Sequence, residues 1–353
     1  MIILALDIGG SKLLSSLVEV SSEGALSPRL TGVAKRALRK DSRIEGVWNS
    51  LNDAIAETLS NSEFSLNDVE RVGISIPGVA DPRSGLWIYA PYSGISNFPI
   101  AERVSEKYAR PVVADNDVNA CAWGEKVFGA CRNVENFLWI TISNGIGGGL
   151  VLNNRIYPGK FFGAAEMGHL NVIEDGPLCG CGNRGCLEAA AAGPAIARNY
   201  KDLIESIKTD ERLDKTLINQ WYQYLRQLYG KETLDDVEVD AEIAKARELK
   251  AVDIAREARR GNPIAIEIFN RTGAVVGKAA SWACNLLNPE KIIIGGGVAQ
   301  SFDLFYPSLI ESFNKRVFKQ ANQSISIEKT QLGYEAGLLG AAALATSNPY
   351  SLE

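Results

Sequence analysis

The sequence predicts an α/β protein built from two similar units that face each other across a cleft. Strand-like and helix-like runs alternate along most of the chain. Each half opens with a β-meander whose first two strands are joined by a glycine-rich turn, a weak internal repeat. The 353 residues, 46% of them hydrophobic, are enough for two cores of ordinary domain size.

Residues 2–8 and 13–20 are apolar strand-like runs joined by "GGSK", and "RLTGVAKRAL" supplies a third strand after the turn "SSEG". Residues 44–59 place Ile44, Val47, Leu51, Ile55 and Leu59 at helical spacing, after which "RVGISIPG" returns to strand. "RPVVADN" is the next strand, and its helix runs from about Val118 to Phe128. The second meander starts at "NFLWITIS", turns through "NGIGGG" and leaves along "LVLN". Helices follow over 193–207, 263–287 and 302–315, with the strand "KIIIGGG" between the last two. Residues 208–250 are rich in charge and helical in pattern; they are expected to be an inserted, solvated helical segment, with a lid or subunit contact as the alternative.

The formal net charge of -5 offers no electrostatic footprint for nucleic acid or an anionic membrane. The apolar start "MIILALDIGG" is broken by Asp7 and has no basic region, so it is expected to be a strand rather than a signal peptide. No run approaches the roughly 18 apolar residues of a membrane span. Six cysteines are too few for a disulfide-built fold, and three of them crowd into one loop, which points to metal binding in a reducing compartment, the cytoplasm.

Four segments carry potential chemistry. In "LALDIGGSK", Gly9 and Gly10 allow a tight turn that brings N–H groups near an anion, and Asp7 at a strand end is suited to a hydrated divalent cation. A plain hairpin turn uses the same residues. "SNGIGGG" repeats the feature in the second half, so that two turns can grip the phosphates of one nucleotide, while Gly295, Gly296 and Gly297 permit close approach of a flat group such as adenine or simply tight helix–strand packing. In "VVADNDVNACAWGE", Asp115, Asn116, Asp117 and Asn119 meet at the junction of a strand and a helix; capping needs one such residue, not four. A carboxylate there can take a hydroxyl proton as that oxygen attacks a phosphoryl group.

The strongest signal is "GHLNVIEDGPLCGCGNRGCLE". The chain's single histidine, His169, and Cys179, Cys181 and Cys186 form a set suited to tetrahedral zinc. Four protein ligands close the site and make the ion structural. Glu166 and Glu188 flank the loop, and with the imidazole they can offer three hydrogen-bonding groups to a polyhydroxylated ligand.

These residues resemble the zinc signature of the ROK family of bacterial sugar kinases and repressors: Gly-His, a spacer, then Cys-x-Cys-Gly-x-x-Gly-Cys-x-Glu. The resemblance extends to "DIGGSK", "SIPGVAD", "DNDVNA" and "IIIGGG", and leaves out residues 208–250. It implies an actin-like, hexokinase-like ATPase fold of the ribonuclease H-like class, with a smaller unit of residues 1–117 completed by a C-terminal helix over 336–353, and a larger unit of residues 118–335 with the zinc loop at 169–186. The implied activity is transfer of the γ-phosphate of Mg-ATP to a hydroxyl, expected to be the 6-hydroxyl, of glucose or a related hexose, in a cytoplasmic homodimer. By the same resemblance Asp117 is the general base, and Asn116, Glu166, His169, Glu188 and Gly78 contact the sugar. Asp7, Gly9, Gly10, Ser11 and Lys12 lie near Mg²⁺ and phosphate, with Asn144, Gly145 and Gly147 in the facing turn and Gly295, Gly296 and Gly297 near adenosine.

Three positions depart from the family pattern. Ser143, Asn144 and Gly145 stand where Gly-Thr-Gly is usual, Asp115 stands where glutamate is usual, and residues 90–100 lack the Asn-Leu-x-x-Trp pattern of glucose-specific relatives. An alternative expectation is therefore a sugar- or nucleotide-binding protein with little turnover. A sugar-responsive repressor is expected to carry a helix-turn-helix domain before the first strand, which here begins at residue 2.

Overall fold

The hydrophobic runs close into two mixed five-stranded sheets with the same strand plan. The structure is a computed structural model that describes residues 1–21, 28–38, 43–90, 94–322 and 324–350. In chain order the first part comprises β1 (Ile2–Ile8), β2 (Lys12–Glu19), β3 (Arg29–Ala37), α1 (Ile44–Ser60), β4 (Val69–Ile76), β5 (Val79–Asp81), β6 (Leu86–Ala90), β7 (Ile95–Phe98), α2 (Ile100–Tyr108), β8 (Val112–Asn116) and α3 (Asp117–Val127). Then come β9 (Phe137–Ile142), β10 (Ile146–Leu152), β11 (Arg155–Ile156), α4 (Leu187–Ala191), α5 (Gly193–Ser206), α6 (Lys215–Tyr229), α7 (Asp236–Ala246), α8 (Ala251–Arg259), α9 (Pro263–Leu287), β12 (Lys291–Gly295), α10 (Phe302–Asn314), β13 (Ser326–Lys329) and α11 (Ala336–Thr346).

The sheet orders are β3-β2-β1-β4-β8 and β11-β10-β9-β12-β13. In each, an antiparallel meander continues into two parallel strands, so the repeat seen in the glycine-rich turns extends to the whole topology. Helix α3 packs between the sheets with α11, and α11 also lies on β1 and β4. Ile3, Ala5, Leu14 and Val18 bury against Leu338, Ala341, Ala342 and Ala345 there. Gly73 makes that approach possible: a Cβ on it would stand 1.8 Å from the Ala341 carbonyl oxygen. Gly73→Ala is expected to lower stability by about 1–3 kcal/mol, the usual cost of overpacking, seen as a lower urea midpoint at unchanged slope.

Several local expectations are corrected. The run "NGIGGG" is mostly strand: the turn is only Ser143–Gly145, and Gly147, Gly148 and Gly149 lie in β10. They are glycines because α3 and the loop at Ala165 press on that strand; a Cβ at 149 would meet the Val118 oxygen at 2.8 Å, and one at 148 the Ala165 oxygen at 2.4 Å. The C-terminal helix stops at Thr346, where Ser347 turns extended ahead of Pro349. Its expected last residues, 351–353, lie outside the described residues, as do 22–24 of "SSEG" and 91–93 of the 90–100 segment. The small sheet β5-β6-β7 was not expected. Residues 208–250 are helical but not merely solvated: α6 sends fully buried Trp221 and Leu225 into the core shared with α5, α8 and α9. No helix among the described residues is long and apolar enough to cross a membrane.

Candidate active site and metal centre

The parallel strands β1, β4 and β8 end side by side, and open α/β sheets bind ligands beyond such carboxyl ends. Register puts Asp7 beside Ser75, and Ser75 beside Asp115. The Ser75 hydroxyl donates to Asp7 Oδ1 at 3.1 Å. Burial pushes the Asp7 carboxyl up, against the opposing pull of Ser75 and Lys12. Gly337, in the first turn of α11, is bare against it: a Cβ there would lie 2.4 Å from the Asp7 carboxylate.

The polar cluster after β8 divides its work. Asn116 caps α3, its Oδ1 accepting from the N–H groups of Val118 at 2.9 Å and Asn119 at 3.1 Å. Its amide nitrogen donates to the Gly78 carbonyl at 2.7 Å and to Asp117 Oδ1 at 3.1 Å. Gly78 and Asn116, both expected at the sugar, are thus tied to each other and to Asp117. Asp115 turns inward and is satisfied there by the Asn116 N–H at 2.7 Å and the Tyr350 hydroxyl. Burial dominates its carboxyl, which is pushed up to about 6. Asp117 is left at the start of the helix, pushed up to about 7 by burial first and then by Asp7.

In the first glycine turn the Gly9 N–H donates to the Lys12 carbonyl at 2.8 Å, leaving Gly10 and Ser11 exposed. Lys12 Nζ donates to the hydroxyl of Tyr334. Neither Tyr334 nor Tyr350 was foreseen, since each comes from the far end of the chain with no local motif.

The second turn is closed by the Ser143 N–H donating to the Gly145 carbonyl at 2.8 Å, with Asn144 exposed at its tip. The Gly193 N–H, at the head of α5, donates to the Ser143 carbonyl at 2.8 Å. The glycines after β12 adjoin the same turn: a Cβ on Gly297 would stand 3.6 Å from Ser143 Oγ. Gly296 takes φ +88 where a Cβ would meet the Ile142 oxygen at 2.5 Å. Gly295 is different: it lies inside β12 against the Trp139 ring, so packing accounts for it. Gly147 lies in β10 over Val118, next to Asp117, which brings the second turn and the α3 start together.

His169, Cys179, Cys181 and Cys186 converge, with ligand atoms all within 4.8 Å of one another. Zinc–sulfur bonds of about 2.3 Å at tetrahedral angles set donor atoms about 3.7 Å apart. The Cys181–Cys186 sulfurs are 3.7 Å apart, and Cys179 Sγ lies 3.8 Å from His169 Nδ1. The donor set therefore fits tetrahedral zinc, and without a cation it is self-opposed: burial and then the neighbouring thiols push Cys186 up to about 12. Glycine makes the loop possible, because Gly185 sits at φ +74 and a Cβ there would come within 1.8 Å of the Ile173 oxygen. With Nδ1 on the thiol side, the opposite ring edge of exposed His169 points away from the thiols, and Glu166, three residues earlier, is exposed too. Glu188, two residues after Cys186, places Oε2 2.9 Å from the Ile146 N–H, so it touches the second turn.

The ROK family model matches residues 3–348. A glucokinase of Streptomyces coelicolor is 29% identical over 97% of this chain and 96% of its own length. A crystal structure of a ROK family glucokinase from Streptomyces griseus, in complex with glucose and AMPPNP, is 31% identical, covers 98% of this chain and 99% of that one, and superposes with a TM-score of 0.74. The DNA-binding transcriptional dual regulator NagC of Escherichia coli is 27% identical over 84% of this chain and 65% of its own length. The expected actin-like, hexokinase-like fold is the one found, with its repeated strand plan.

Proposed function

The chain belongs to the ROK family, and from that membership we propose that it is an ATP-dependent sugar kinase acting on glucose or a related hexose at the 6-hydroxyl. The observation that carries this is the placing of Asp7, at the end of β1, and Asp117, just past the end of β8, on either side of β4, near enough for Asp7 to raise the Asp117 carboxyl, beside both glycine turns. The sugar lies between Asp117 and the outward face of the metal loop, held by His169, Glu166 and the carboxylate of Glu188. Asn116 fixes the Asp117 carboxylate from one side and the Gly78 loop from the other. The nucleotide lies across the turns at 9–12 and 143–145, with its base toward Gly296 and Gly297.

As the sugar oxygen attacks the γ-phosphorus, Asp117 takes the hydroxyl proton and ADP leaves; an aspartate suffices because the proton moves only as charge develops. Asp7 fits a divalent cation of the hydrated kind, which needs one or two carboxylates besides phosphate oxygens. Magnesium, when bound, neutralises charge on the phosphates, and zinc holds the sugar-binding loop in shape without taking part in the chemistry. Residues 1–117 with α11, and 118–335, are the two lobes that close on the ligands. A cytoplasmic homodimer belongs to the same proposal, cyclic dimers being the commonest soluble assemblies.

A coupled ADP-release assay over hexoses, N-acetylhexosamines and pentoses tests the function. Sugar-stimulated ADP production with Mg-ATP is expected. Ligand-induced rises in melting temperature with no ADP would instead identify a binding protein.

A further inference from the structure

We propose that the metal loop also sets the nucleotide site, because the residues at its two ends hold the N–H and the carbonyl of Ile146, the residue that closes the second glycine turn; this rests on the kinase function proposed above. Ile146 is the first residue of β10 and pairs with Ile142, so it is the hairpin's closing position. Glu188 Oε2 accepts its N–H at 2.9 Å. Gly168 abuts its carbonyl, since a Cβ on Gly168 would stand 2.0 Å from the Ile146 oxygen. Gly168 directly precedes the ligand His169, and Glu188 follows the ligand Cys186 by two residues.

The Glu188 carboxylate also fills the side-chain space of the turn: a Cβ on Gly145 would lie 2.5 Å from Oε2. A further tie runs through α4, whose Cys186 is the residue before the first helical turn. The Glu188 carbonyl accepts from Ala192 N–H at 3.1 Å, and the next residue, Gly193, donates to the Ser143 carbonyl at 2.8 Å. Fixing the four ligands therefore fixes both jaws within two residues of a ligand. A bond from a backbone N–H to a carboxylate is charge-assisted and about twice as strong as a neutral one. Phosphate recognition by a turn depends on the aim of its N–H groups, so loss of the jaw misdirects the site rather than removing a ligand contact. Glu188 is in this respect a positioning residue for nucleotide, separate from its sugar contact.

The test is calorimetric binding of AMPPNP with Mg²⁺ and no sugar, together with metal content per chain and melting temperature. Glu188→Ala is expected to weaken AMPPNP about tenfold, the worth of one charge-assisted bond. Glu188→Gln, whose side-chain oxygen still accepts from Ile146, is expected to restore AMPPNP binding to within about threefold of the parent by the same reasoning. Glu188→Asp, too short to reach, should behave like alanine and serves if the alanine variant does not fold. Chelation of the metal from the parent should weaken AMPPNP as well. A folded, metal-loaded Glu188→Ala or Glu188→Asp that binds AMPPNP like the parent overturns the clamp, as does unchanged affinity after metal removal. A parent that binds no AMPPNP overturns the kinase function itself, and the clamp with it.

Discussion

Asp117→Asn is expected to lower kcat by about 10²–10⁴-fold, the range for losing a positioned general base, with a far smaller change in KM for sugar. The asparagine keeps the shape and can still accept from Asn116, but it cannot take the hydroxyl proton. Asp115 cannot substitute, because its oxygens face the Asn116 N–H and the Tyr350 hydroxyl in the protein interior. The parent's kcat/KM should rise with pH through about 7, where the Asp117 carboxyl, lifted by burial and by Asp7, loses its proton. The variant's residual rate should lack that rise. Stability runs the other way. A carboxyl raised from 3.8 to about 7 in the folded state favours folding at low pH and loses that contribution as pH rises through the folded value. Asp117→Asn should therefore melt higher than the parent at pH 8, with the gain shrinking toward pH 4. An equally active variant contradicts the assignment of the base.

Removing the metal, by chelation or by Cys181→Ala, is expected to weaken sugar binding about 10- to 100-fold, the worth of one or two charge-assisted hydrogen bonds. Cys181 is exposed at the loop's outer edge, so its truncation leaves no core cavity, unlike that of buried Cys186. Loss of one ligand frees both His169 and the run from Gly180 to Glu188. Nucleotide binding should also fall, but by less, because Asp7 and the first glycine turn do not pass through the loop's ligands. Metal analysis, melting temperature and separate titrations with sugar and AMPPNP check this. Equal losses for both ligands with a collapsed melting transition would mean general unfolding; unchanged sugar affinity would dissociate the metal from the sugar site.

Much of this was legible in the sequence because its signals are local. Helix α1 follows from the spacing of Val47, Leu51 and Ile55, and the ligand set from cysteines held close by glycines that allow φ +92 at 182 and +74 at 185. Glycine was the ambiguous letter. It marks turns at Gly9 and Gly10, yet at 147–149 and at 295 it marks strands pressed by α3, the Ala165 loop and Trp139. Composition does not separate those uses, because the pressing group is distant in sequence. Tyr334 on Lys12, Tyr350 on Asp115 and Glu125 beneath Thr330 are hidden for the same reason: each joins segments that only the fold brings together. In the 208–250 insertion, Trp221 and Leu225 stand four apart on α6 and were a core stripe in plain view, outweighed by the charge around them.

The most direct measurement is mass spectrometry of the products after the protein meets Mg-ATP and a mixed pool of hexoses, N-acetylhexosamines and pentoses. The predicted result is a hexose monophosphate formed with equimolar ADP, absent from Asp117→Asn, and fragmenting as the 6-phosphate. No phosphorylated sugar from any member of the pool, with metal-loaded and folded protein, would contradict the assignment as a sugar kinase.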